Sequence, residues 1–81
     1  MTRDEVLTLV REHLAEEFEV DAAGIEDGTR FKEDLDADSL DLYELVMELE
    51  DRYGVAVSEE QAARIATVGD AVDFVVEHAP A

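Results

Sequence analysis

Eighty-one residues leave room for one small domain, and the charge is lopsided: 6 Lys and Arg stand against 23 Asp and Glu, a net of −17. So acidic a chain repels nucleic acid and anionic membrane surfaces and is drawn instead to proteins with basic patches. Cysteine is absent, which excludes a disulfide framework, a thiolate nucleophile and a Cys-based zinc site, while 47% apolar residues argue for a folded core over disorder.

Four helices are predicted in chain order. The first opens at Thr2, with Glu5 three residues on in a capping-box pattern, and Val6, Val10, Leu14 and Phe18 recur at intervals of four beside Leu7. It should fade near Glu19. The second begins after Asp38 and runs to Tyr53, where Gly54 is a natural stop; its apolar set is Leu42, Leu45, Val46, Leu49 and Tyr53. The third is short, capped by Ser58 with Gln61 and followed by Ala62, Ala63 and Ile65. The fourth starts at Thr67, with Asp70 in the reciprocal position, and carries Val68, Ala71, Val72, Val75 and Val76 before Pro80. Val55-Ala56-Val57 is too short to build a sheet and has nothing to pair with.

Between the first and second helices, Val20 to Asp38 shows no clear period. Loops of this length inside small domains are usually functional or disordered. Val20, Ile25, Phe31 and Leu35 are spaced through it, so it should lie pinned across the bundle. The expected fold is all-α: a single four-helix bundle over residues 1–81, with a long ordered loop between the first and second helices and a short third helix. No apolar run approaches the roughly eighteen residues of a membrane span. Met1-Thr2-Arg3-Asp4-Glu5 also lacks the apolar stretch of a signal peptide, so a cytoplasmic location is expected.

The loop ends in Asp34-Leu35-Asp36-Ala37-Asp38-Ser39-Leu40-Asp41. Asp38 is a good N-cap whose carboxylate complements the helix macrodipole, and it places Ser39 at the first helical position with its hydroxyl exposed. The alternating aspartates resemble the opening of a calcium loop, but the sixth and twelfth positions hold Ser39 and Leu45 where glycine and glutamate are required. Serine catalysis would need a base in reach. The only histidines, His13 and His78, belong to the first helix and the far C-terminus, and the ordinary reading of each is a surface or half-buried helix residue. Neither a triad, a metal cluster nor a Gly-rich phosphate loop is evident.

The stretch from Phe31 through Lys32, Glu33 and Asp34 to Asp38-Ser39-Leu40-Asp41, continuing as Glu44-Leu45-Val46-Met47-Glu48-Leu49-Glu50, resembles freestanding bacterial acyl carrier proteins. The similarity covers nearly the whole chain and includes Ile65-Ala66-Thr67-Val68 and the acidic composition. The resemblance implies that Ser39, flanked by Asp38 and Leu40, is esterified by 4′-phosphopantetheine transferred from coenzyme A by a separate transferase. Ser39 is then an attachment point, with the reactive sulfur supplied by the prosthetic group. One departure is Asp36, where the family usually has glycine. Aspartate tolerates a left-handed backbone better than most residues, and it adds a charge beside the site.

A helix advances about 100° per residue, so with Ser39 at zero the apolar set from Leu42 to Tyr53 centres near ~300°, about 60° from the serine. Leu40, Tyr43, Glu44, Met47, Glu50 and Asp51 fall between about 20° and 140°, on the outward side. From Asp34 to Asp51 there are eight acidic residues and no basic one. Carboxylates mixed with apolar knobs suit transient docking of basic proteins; the expected partner face is Tyr43, Glu44, Met47, Glu50 and Asp51 of that arc, joined by Asp41 and Val57. Like charges so close should weaken the fold at low salt. With Val- and Ala-rich packing, a tethered acyl chain can fold back from Ser39 between helices.

The resemblance implies a non-catalytic carrier of thioester intermediates, in fatty acid synthesis. It serves a phosphopantetheinyl transferase and acyl-processing enzymes, binds neither nucleic acid, membrane nor metal, and is a monomer. A dedicated carrier for polyketide, aminoacyl or other specialised acyl groups is the alternative within the same chemistry. An acidic interaction or cation-binding module without prosthetic group is the alternative of another class; it predicts an unmodified Ser39.

Overall fold

The computed structural model describes residues 2–79. Thr2 caps α1 (Arg3–Phe18), its hydroxyl accepting the Glu5 N–H at 3.2 Å. Glu19 ends the helix in the left-handed conformation, as the fading pattern predicts, and Val6, Val10 and Leu14 face the core. The segment that follows is more structured than expected. A 3₁₀ turn, Ala22–Gly24, is capped by Asp21, and α2 (Phe31–Leu35) is a helix of five residues that the four-helix reading leaves as loop. So short an element cannot display a 3.6-residue period. The predicted second, third and fourth helices are α3 (Ser39–Tyr53), α4 (Glu59–Arg64) and α5 (Val68–His78). Full reciprocal capping boxes start all three: Asp38 with Asp41, Ser58 with Gln61, Thr67 with Asp70. Gly54 stops α3 at φ 68°, where glycine carries no steric penalty. Ile65, expected inside the third helix, is instead its extended C-cap. Pro80 lies outside the described residues.

The long connection is pinned, by backbone more than by side chains. Phe31 N–H donates to the Ala66 carbonyl at 3.1 Å, Val68 N–H to Thr29 at 2.9 Å and Gly69 N–H to Asp27 at 2.8 Å. A Cβ on Gly69 would sit 3.0 Å from that Asp27 oxygen, so this approach depends on glycine. Arg11 clamps the Ala22 carbonyl through two nitrogens at 3.0 and 2.9 Å, and Arg3 ties Asp27 to Asp73. Ile25 and Phe31 are buried, Leu35 packs partly against the core, but Val20 is exposed. It follows the left-handed turn at Glu19, where the chain has already swung off the α1 stripe.

The core is a continuous cluster of Val6, Val10, Leu14, Ile25, Phe31, Leu45, Leu49, Ile65, Val68, Val72 and Val75. Backbones of α1 and α5 approach closely, whereas α3 stands further from its neighbours. Val76, on the predicted apolar stripe of the last helix, is exposed.

Candidate functional site

Ser39 is the first residue of α3 and is exposed. The helix start is held on either side of it. Asp38 Oδ1 accepts the Asp41 N–H at 2.9 Å, and Asp41 Oδ2 accepts the Asp38 N–H at 3.0 Å. These bonds satisfy two of the amides that a helix start leaves open. Donation from the Asp41 backbone holds the Asp38 carboxyl below its ordinary range. The two aspartates are occupied with each other, and the Ser39 hydroxyl between them is left to solvent.

The approach to the serine is fixed from α2. Asp36 closes that helix at φ 54°, ψ 33°, and its N–H and that of Ala37 both donate to the Phe31 carbonyl, the latter at 2.9 Å. Glycine adopts this conformation freely and most side chains do not. Asp36 therefore holds the backbone shape expected of a glycine here, while adding an exposed carboxylate before Ala37-Asp38-Ser39.

Beneath Ser39 lies a cavity of about 380 Å³, bounded by Leu42, Leu45, Val46 and Leu49 of α3, Phe31 and Lys32 of α2, and Ala62 and Ala63 of α4. The helical-wheel reading that sets Ser39 on the seam beside the core is thus met in three dimensions. The contribution of α4 could not be read from sequence, because nothing local says which helix faces the serine.

On the outer face of α3, Leu40 (63%), Tyr43 (62%) and Met47 (53%) are strongly exposed, as are Glu44 and Asp51. Glu50 and Val57 differ from the rest of that predicted set. Glu50 is half-buried and its carboxylate accepts the Val57 N–H at 2.9 Å, while the Val57 side chain packs against the core. Their first task is to tie the segment after Gly54 back onto α3. Sequence reasoning missed Glu17, in the last turn of α1. Carboxylate oxygens of Glu17, Asp41 and Glu44 lie within 4.8 Å of one another, and the Glu17 charge, with burial and Asp41 adding to it, raises the Glu44 carboxyl. His13 faces this group and partly offsets the effect. His78 stacks on Phe74 with ring centroids 4.1 Å apart, its Nδ1 3.0 Å from the Phe74 carbonyl. Among the described residues no helix is long and apolar enough to cross a membrane.

The class of the chain is that of the domains that bear a phosphopantetheine attachment site. Residues 8–75 match the family model of that description. The chain is 47% identical to the acyl carrier protein of Rubrobacter xylanophilus over 78 residues, 96% of each chain. It is 41% identical to that of Lactobacillus acidophilus, covering 96% of this chain and 98% of the relative. Among solved structures, the acyl carrier protein of Enterococcus faecalis superposes with a TM-score of 0.86 at 43% identity, covering 98% of this chain and all of that one. That of Thermotoga maritima gives 0.80 at 29% identity over 94% and 88%. The chain belongs to the acyl carrier proteins. Membership implies a covalently attached 4′-phosphopantetheine and, as partners, acyl-processing enzymes.

Proposed function

We propose that Ser39 is the attachment residue and that the chain is a non-catalytic, monomeric cytoplasmic shuttle, presenting acyl groups to the enzymes of fatty acid synthesis. The observation that carries this reading is the exposed Ser39 hydroxyl, flanked by two aspartates that cap each other and so make no demand on it. The residues fit the group. The serine oxygen is open to a transferase, and the cavity lies beneath it. When bound, 4′-phosphopantetheine supplies a flexible arm ending in a thiol, on which acyl groups ride as thioesters. The protein's own residues orient the attachment point and offer the apolar space.

The exposed mixture of Leu40, Tyr43 and Met47 with Glu44 and Asp51 supports docking of enzymes that present basic side chains. Charge accelerates encounter, and a few apolar contacts set register without slowing release. Val57 and Glu50 border this face and hold its lower end in place. Intact mass after incubation with coenzyme A and a phosphopantetheinyl transferase tests the reading. Wild type should gain one phosphopantetheinyl group and Ser39→Ala none; modification of the alanine variant, or an unmodified wild type, defeats it.

A further inference from the structure

Lys32 is the chain's one lysine, and it stands exposed on the wall of the cavity that Ser39 also lines. Of the five arginines four are engaged, and the fifth, Arg64, lines a separate pocket with Asp70 and Asp73. Arg3 pairs with Asp27 and Asp73, Arg30 with Asp34, Arg52 with Glu48, and Arg11 donates to the Ala22 carbonyl. Lys32 makes no ion pair with any described residue, although Glu33 and Glu59 line the same cavity. The backbone brings it toward the serine. The Phe31 carbonyl, adjacent in sequence, accepts both the Asp36 and Ala37 N–H groups, folding α2 back onto the residues that lead into Ser39.

The charges near the attachment point are otherwise of one sign: Asp36, Asp38 and Asp41. A phosphodiester on Ser39 adds another negative charge to that set, and Lys32 is the cation positioned to neutralise it. We infer that Lys32 is a positioning residue for the prosthetic arm: its ammonium pairs with the phosphodiester oxygens at Ser39 and turns the arm toward α2 and the cavity mouth. The inference rests on Ser39 as the attachment residue. A charge-assisted hydrogen bond of this kind is directional, but at an exposed site it is weakened by salt.

A single lysine makes the test unambiguous, because lysine-selective ¹³C,¹⁵N labelling yields one side-chain signal. Apo and loaded protein are compared, with loading verified by intact mass. The Lys32 ε-methylene signal should move on loading, show cross-relaxation to the arm methylene beside the phosphate, and return toward its apo position near about 1 M salt, where the screening length is only ~3 Å. The ³¹P resonance of the loaded protein should shift in Lys32→Gln and stay near its wild-type position in Lys32→Arg. A loaded wild type whose lysine signal does not move overturns the inference and leaves Ser39 as the attachment residue. So does a Lys32→Gln variant that loads slowly with an unchanged ³¹P resonance, since the lysine then serves the transferase. Failure of wild type to load overturns both readings. The wild-type lysine signal alone decides the matter should either variant fold poorly.

Discussion

Along the contact between α1 and α5, Val6, Val10, Val68, Val72 and Val75 are shut away from solvent, whereas the residues by which α3 faces α4 border a cavity of about 380 Å³. The first side is built from β-branched residues on two helices of 16 and 11 residues, reinforced by Arg3 across Asp27 and Asp73. On the second side α4 has only six residues, and it presents Ala62 and Ala63, whose side chains are too short to fill the gap to α3. One side therefore secures the fold, and the other keeps room for an occupant next to Ser39.

The largest expected effect separates the two sides by truncation. Leu14→Ala, in the closed core, should cost about 3 kcal/mol in urea unfolding, because a well-packed site cannot collapse. Leu42→Ala, half-buried beside space that already exists, should cost about 1 kcal/mol. Equal losses would erase the distinction. A second experiment sharpens it by filling the open side. Thermal stability should climb as acyl groups on the arm lengthen, by at most ~0.8 kcal/mol per methylene buried and about 2 kcal/mol in all. Ala62→Leu, which occupies the cavity wall, should flatten the series; an undiminished climb would place the chain elsewhere.

The smallest effect is electrostatic and lies where α1 meets α3. The Glu44 carboxyl is raised above its ordinary 4.5, chiefly by the Glu17 charge. The folded state thus holds that proton more tightly than the unfolded chain, and the penalty is complete above the raised value and absent below the ordinary one. Stability should rise modestly as pH falls from 7 into that window, most visibly at low salt. Asp34, lowered by the Arg30 N–H and guanidinium, and Asp38, lowered by the Asp41 N–H, act oppositely. What they stabilise is present above about 3.8 and lost as pH falls through their depressed values. The melting temperature should pass through a mildly acidic maximum, and Glu17→Gln should flatten its neutral limb. A melting temperature that only falls from pH 7 downward would be incompatible with the repulsion.

Much of this was legible in the chain. Thr2, Asp38, Ser58 and Thr67 mark the four longer helix starts because a cap is a bargain between residues two or three positions apart, and Gly54 marks a stop for an equally local reason. The outward placement of Ser39, Leu40, Tyr43 and Met47 followed from 3.6-residue geometry anchored at one cap. The left-handed Asp36 could be expected only because of the resemblance to a family with glycine there. The helix Phe31–Leu35 was not legible, since its stability comes from the buried Phe31 ring and the Ala66 carbonyl, not from a periodic stripe.

What required the folded molecule was every relation between helices: Glu17 against Glu44, Glu50 under Val57, α4 opposite Ser39, and Lys32 at the mouth of the same cavity. Caps and stripes depend on neighbours along the chain, so residue order alone reveals them. Which faces meet depends on how side chains of different volume interlock across the bundle, and that is settled only when the whole core packs.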